Sequence, residues 1–184
     1  WRRPCRRPAS SDPFPTTGTS PPPVAWTFVA TTAVQTCYRR PDPRAAYAAV
    51  NTIRLDDLTP HVYRTRDDGA TWTRISAGLP AGTIVNVVRE DPRQRGLLFA
   101  GTEFGLYFTV DGGTAWTRLA GGGFPTIAVH DLAIQKRETD LVVGTFGRGI
   151  YILDDYSPLR AVTKETLAQQ EVSFFPVKDA TQFI

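Results

Sequence analysis

From residue 42 to residue 155 the chain alternates apolar and polar positions in runs of a few residues, and each run is closed by Gly, Asp or Pro. A period of two bounded by such breakers predicts half-buried strands joined by tight turns. The runs are Ala45 to Val50, Val62 to Arg64 and Thr73 to about Ser76, then Thr83 to Glu90, Leu97 to Gly101, Gly105 to Val110 and Ala115 to Leu119. Ile127 to Ile134, Leu141 to Gly144 and Gly149 to Leu153 follow. A helical pattern is expected only at about Lys164 to Gln170. The pattern predicts an all-β chain of short antiparallel strands.

Two of the turns are nearly the same sequence. Thr65-Arg66-Asp67-Asp68-Gly69-Ala70-Thr71-Trp72 recurs 44 residues later as Thr109-Val110-Asp111-Gly112-Gly113-Thr114-Ala115-Trp116. Thr65, Asp67, Gly69 and Trp72 match Thr109, Asp111, Gly113 and Trp116, while Thr71 is replaced by Ala115. Short oxygen-bearing side chains can accept bonds from turn amides, glycine takes positive φ, and tryptophan supplies an apolar plate. A second motif, Gly101-Thr102-Glu103-Phe104-Gly105-Leu106-Tyr107, returns 43 residues later as Gly144-Thr145-Phe146-Gly147-Arg148-Gly149-Ile150-Tyr151, with one residue inserted. A period in the forties with four short strands per unit predicts β-propeller blades. The chain holds about two and a half to three of them, four-stranded and antiparallel, the first with an expanded loop from Asn51 to Pro60.

The octapeptide resembles the Asp-box of BNR-like repeats, found in bacterial neuraminidases, sortilin-like propellers and xyloglucan-active endoglucanases. The run from Val142 to Asp155, together with Tyr47-Ala48-Ala49-Val50-Asn51, looks like the C-terminal blades of bacterial sortilin-like propeller proteins often labelled glycosyl hydrolases. Those propellers have many more blades. The resemblance therefore implies a fragment whose partners are the remaining blades of a parent propeller, in an extracytoplasmic setting, periplasmic or secreted. Two uncovered sheet faces would make such a fragment poorly soluble in isolation.

Three segments are expected: a leader over residues 1–41, blades over 42–155, and an exit segment over 156–184 with a short helix and a last strand or the start of another domain. The leader is rich in proline and arginine, and residues 1 to 44 hold nine of the 15 prolines. Disordered or polyproline-like chain is expected there. Ala33 to Arg40 stands where the repeat calls for an innermost strand, yet matches it poorly, so the leader reads as foreign to the repeat. The basic character also belongs to this region. Residues 1 to 44 carry a net +5 and the remainder −2, out of a total of +3, which argues against a nucleic-acid face on the folded body. Cys5 and Cys37 lie here too, without CxxC or Cys/His spacing, so no metal site is expected. No apolar run approaches membrane-spanning length.

The propeller resemblance implies that turns between third and fourth strands lie opposite the channel entrance. Asp67 and Asp111 then belong to structural turns, and Trp72 and Trp116 to plates between blades. The loops between second and third strands face the entrance together with residues 78–82 and 120–126, giving a rim of Arg54, Asp56, Asp57, Glu103, Phe104, Phe146 and Arg148. A mixed charged and aromatic rim suits a peptide or glycan ligand. Arg148 either clamps a carboxylate on that ligand or ties down the Asp154-Asp155 exit. A glycosidase would need two carboxylates roughly 5 to 9.5 Å apart, drawn from Asp56, Asp57, Glu103 and Asp131. No pair stands out, and His61 and His130 read as a loop and a strand histidine. A sialidase-like site would need three arginines, with Arg54 and Arg148 as candidates, and a tyrosine nucleophile. The expectation is a binding or scaffold module without cofactor. The alternative is a sialidase-like or xyloglucanase-like glycoside hydrolase.

Overall fold

The computed structural model describes residues 33–39, in backbone, and 44–121, 123–168 and 174–175. The expected leader lies, up to residue 32, outside the described residues, as does the proposed last strand apart from residues 174 and 175. Three antiparallel sheets follow one another along the chain. The first contains β1 (Ala33–Arg39), β2 (Ala46–Asn51), β3 (Val62–Thr65) and β4 (Thr73–Arg74) in spatial order. The second repeats this with β5 (Val85–Glu90), β6 (Leu98–Thr102), β7 (Gly105–Thr109) and β8 (Thr117–Arg118). The third has β9 (Val129–Gln135), β10 (Asp140–Thr145) and β11 (Ile150–Leu153), with no fourth strand among the described residues.

Two features lie outside the elements expected from sequence. The first sheet starts at Ala33, ahead of the boundary expected at residue 42, because β1 pairs with β2 from Ala33↔Asn51 to Arg39↔Ala46. Backbone pairing accepts a sequence that matches its repeat counterpart poorly. The helix α1 spans Lys164–Ala168, and the expanded loop of the first blade contains a 3₁₀ turn at Ile53–Leu55.

The sheets share one register. Tyr63↔Arg74 and Ala48↔Tyr63 in the first blade correspond to Tyr107↔Arg118 and Ala100↔Tyr107 in the second. Val142↔Ile152 in the third corresponds to Phe99↔Phe108 in the second. Because the register is common, each blade presents the same positions forward and backward. One core cluster joins Tyr47, Ala49 and Val62 of the first blade to Val85, Val88, Leu98, Ala100, Tyr107 and Trp116 of the second. Another joins Val87, Phe99, Leu106 and Phe108 to Val129, Leu132, Leu141 and Val143 of the third. The central strand β6 is buried on both faces, which accounts for its unbroken apolar reading where outer strands alternate. Gly101 sits at the tightest point: a Cβ there would stand 2.6 Å from both Val87 and Val129.

Both octapeptides fold as self-bonded turns. The Thr65 hydroxyl donates to Asp67 Oδ1 at 2.7 Å and accepts from Gly69 N at 3.0 Å, while Asp67 accepts from the Thr71 backbone and hydroxyl. Thr109 and Asp111 reproduce this with Gly113, Thr114 and Ala115. Ala115 has no hydroxyl for Asp111 Oδ2. Lys164 of α1 fills the gap, its Nζ 3.0 Å from that buried oxygen as an ion pair with no well-directed hydrogen bond. Trp116 acts as the expected plate, buried against the first blade with Nε1 donating to Ile75 O at 2.7 Å. Trp72 is half-exposed, since no blade precedes it among the described residues.

In place of a third octapeptide the chain folds back on the second blade. Tyr156 is 1% exposed, packs edge-on against Phe99 with centroids 5.1 Å apart, and donates to Asp91 Oδ2 at 2.7 Å. Arg160 donates to the same oxygen at 2.8 and 3.1 Å, while Asp91 Oδ1 caps the amides of Arg93 and Gln94. Burial works against the charge on Asp91, but Arg160, Tyr156 and the two amides hold its carboxyl below the usual range; burial and Asp91 push the Tyr156 phenol up.

Gly69 and Gly113 both have positive φ, 95° and 93°, but a Cβ on Gly113 would also stand 2.8 Å from Ile75. Gly69→Ala should cost about 1–3 kcal/mol through backbone strain, and Gly113→Ala distinctly more. Equal losses in a denaturant titration would contradict the packing described for the second turn. Asp91→Ala strands Arg160 and Tyr156 and should cost about 3–5 kcal/mol. A loss under about 1 kcal/mol, the scale of an exposed pair, would show that the fold-back is not held there.

Candidate functional site

The two ends of the blades differ in character. At one end the octapeptide turns meet the loops between first and second strands, with Asp68 N donating to Arg44 O at 3.1 Å and Gly112 N to Gly96 O at 2.9 Å. At the other end the loops between second and third strands meet the interblade loops: Glu103 N donates to Ile84 O at 3.2 Å and Phe146 N to Ala128 O at 2.9 Å. All seven rim residues expected from sequence belong to loops at this second end.

Each inner strand carries one β-bulge near that end. The register shifts between Val34 and Thr36, between Val85 and Val87, and opposite Gly144 and Thr145, leaving Gln35, Asn86 and His130 as the extra residues. All three are polar, and each follows a valine. A bulge turns its extra side chain out of the pleat, and bulges are over-represented beside functional sites.

Asn86 is buried and organises the polar groups around it. Asn51 Nδ2 donates to Asn86 Oδ1 at 2.9 Å, and Asn86 Nδ2 donates to Glu103 Oε1 at 2.9 Å and to Val129 O at 3.3 Å. The three blades are thus linked near this end. One strand-step further in, Arg89 spans the same gap, with Nε on Leu132 O at 2.8 Å and Nη2 on Asp131 Oδ1 at 2.9 Å. His130 is exposed and lies nearly parallel to Phe146, centroids 5.3 Å apart at 22°. Phe146 is 71% exposed and Phe104 is 52% exposed.

Sequence reasoning named Glu103, Phe104 and Phe146 but missed Asn51, Asn86 and His130 as site groups. The missed signal is a buried amide within Val85-Asn86-Val87-Val88, a polar interruption that the bulge accommodates. Arg54 and Asp56 are exposed on the expanded loop, with Asp56 in the left-handed cap at φ 56°. Asp57 is internally engaged: Oδ1 accepts from Thr59 N at 2.9 Å, Oδ2 lies 2.7 Å from His61 Nε2, and Tyr63 Oη is 3.3 Å from His61 Nδ1. Bonds from Thr59 and His61 hold its carboxyl far below the usual range. It braces the loop. Asp131, also in the acid pool, is held by Arg89 and the Leu132 amide. Arg148 is exposed between Gly147 and Gly149, both at positive φ. The whole of β11 separates it from Asp154, so a tie to the exit does not fit the topology. Among the described residues no group of three or more His, Cys, Asp or Glu is placed to hold a metal, and no helix is long and apolar enough to cross a membrane.

No family model and no curated protein matches the sequence. Among solved structures the chain is similar to the GH74 enzyme of Niastella koreensis, with a TM-score of 0.52 and 22% identity over 66% of this chain and 21% of that one. The three sheets are β-propeller blades. Weaker likenesses are to an ancestral GH74 enzyme, at a TM-score of 0.49, 18% identity and 62% of this chain, and to YCF48 bound to D1 peptide, at 0.47, 15% and 68%. The chain spans 14% and 37% of those two structures.

At the end opposite the site, hydrogen bonds from Thr71 and Thr65 bring Asp67 down to about 2. Asp111 is also at about 2, because bonds from Thr109 and two amides and the nearby Lys164 ammonium outweigh its burial. Folded values below the unfolded carboxylate value of about 3.9 mean stabilisation that is complete above that pH and lost as pH falls toward 2. The melting temperature of Asp111→Asn should therefore lie below wild type at neutral pH and converge on it between about pH 4 and pH 2. A gap that stays constant over that interval would disconnect the turn from its charge.

Proposed function

We propose that this chain is a binding module whose site lies at the bulged ends of the inner strands. The observation that carries the reading is the repeated bulge, which sets one extra polar residue at the same height in each blade: Gln35, Asn86 and His130. A sheet that only needed to pack would not require it. Beside the bulges lie exposed aromatic rings at Phe104 and Phe146 and an exposed guanidinium at Arg148. Arginine can hold a carboxylate through two parallel hydrogen bonds while the rings take an apolar or sugar face. The ligand class this favours is a peptide or glycan bearing a carboxylate.

The octapeptides fit the Asp-box reading, with Asp67 and Asp111 structural, and a sortilin-like relationship and an extracytoplasmic location follow from that resemblance. Further blades would complete the ring, and residues 1–32 would be the leader outside it. A glycoside hydrolase draws less support. Asp57 and Asp131 are both committed to internal bonds, and Glu103 is tied to Asn86.

The test is binding to arrays of acidic peptides and of uronate- or sialate-bearing glycans, followed by titration of the best binder. Arg148→Ala should weaken that binder about tenfold or more, in line with the loss of a charge-assisted bond, with the melting temperature unchanged. Affinity indifferent to both Arg148→Ala and Phe146→Ala would remove the site. Turnover of sialosides or xyloglucan that Glu103→Gln abolishes would replace the binding reading with the hydrolase.

A further inference from the structure

The loops between second and third strands are built on one frame in the second and third blades. Thr102 Oγ1 donates to Gly105 O at 2.9 Å, and Thr145 Oγ1 donates to Gly149 O at 2.7 Å. The residue after each threonine is anchored to the preceding interblade loop, Glu103 N on Ile84 O and Phe146 N on Ala128 O. Inside this frame each loop carries one phenylalanine and one charged residue, and the charges are opposite. The second blade has Glu103 next to Phe104, and the third has Phe146 and then, past Gly147, Arg148.

Glu103 is held in place without being neutralised. Its Oε1 accepts from Asn86 Nδ2 at 2.9 Å, and that amide is itself fixed, its oxygen taken by Asn51 and its nitrogen shared with Val129 O. An amide satisfies one carboxylate oxygen and brings no charge. Among the described residues Glu103 Oε2 has no hydrogen bond and the carboxylate no ion pair. Arg118, which reaches this loop, is spent on Phe104 O at 3.5 Å and Thr126 Oγ1 at 2.7 Å. The second blade has a neighbour packed on both faces, so the open oxygen does not arise from an end of the stack.

We propose that Glu103 is the cation-binding half of the site, so that the ligand is a peptide with a basic side chain on Glu103 and a carboxylate on Arg148. This rests on the binding-module reading and narrows its ligand class. Phe104, 52% exposed in the same loop, offers a ring face to the same cation. Stacked sheets stand about 10 Å apart and an extended peptide advances about 3.3 Å per residue, so equivalent loops of adjacent blades match two charges roughly three residues apart. A sialate or uronate glycan supplies the carboxylate without the cation, and its anion gains nothing from Glu103.

The probe is a library of acetylated tetrapeptides with a free carboxyl terminus, each amino acid tried at the first residue, titrated against the full chain. Lysine and arginine should be selected there, and the lysine peptide should bind about tenfold or more tighter than its norleucine analogue, the scale of a charge-assisted hydrogen bond. Glu103→Gln keeps an oxygen for Asn86 and removes only the charge. It should erase the preference for lysine over norleucine, whereas Arg148→Ala should weaken both peptides alike. Absence of any preference for a cation, including absence of binding by every peptide, overturns the proposal, as does a uronate or sialate glycan that binds as tightly as the best lysine peptide. If Arg148→Ala weakens binding and Glu103→Gln leaves the lysine preference intact, the proposed function stands and this inference falls. If a bound peptide is indifferent to Arg148→Ala, Phe146→Ala and Glu103→Gln, both fall.

Discussion

Everything in this molecule depends on sheet stacking on sheet. A four-stranded sheet only a few residues deep buries little by itself, and its stability comes from the apolar layers on either face. The second blade has both layers, with Leu98 and Ala100 on one side and Phe99 and Val87 on the other, and β6 is its most deeply buried strand. That sandwich fixes the spacing of the stack tightly enough that Gly101 admits no side chain. The bulged inner strands can present polar groups at the mouth because this layer holds their backbones in place.

Polar bonds then set the angle between blades. Tyr47 to Glu90, Asn86 to Val129 and Arg89 to Leu132 each reach across one repeat, and Trp116 reaches back to Ile75. They act at different heights along the blades, so together they resist sliding and rotation that an apolar layer alone would tolerate. Where the octapeptide stops, Tyr156 and Arg160 replace it by converging on Asp91 from the exit segment. The third blade is thereby fastened to the second with no fourth strand among the described residues.

The repeat was legible in sequence because turns impose strict chemistry. The Thr, Asp, Gly and Trp of each octapeptide have one bonding solution, and the spacing of two copies set the strand count and the blade boundaries between residues 83 and 153. β1 was not legible, because backbone pairing with β2 is nearly indifferent to which side chains it carries. The exposure of Phe104 and Phe146 was legible because aromatic residues stand out against polar loops. Asn86 and His130 were missed since a bulge depends on a one-residue slip between partner strands, which no single strand reveals. The bond between Asp57 and His61 was not legible, because the two stand on either side of a proline in the same loop.

A bulge absorbs one residue without changing the alternation on either side of it. Gln35, Asn86 and His130 therefore sit outside the two-faced pattern that every neighbouring position must obey. Substitution at these three sites leaves the forward and rear layers of each blade in phase. The inner strands thus keep the alternation of the blade apart from the residue at its slipped position, which at Asn86 is spent on joining neighbouring blades and at His130 is left exposed.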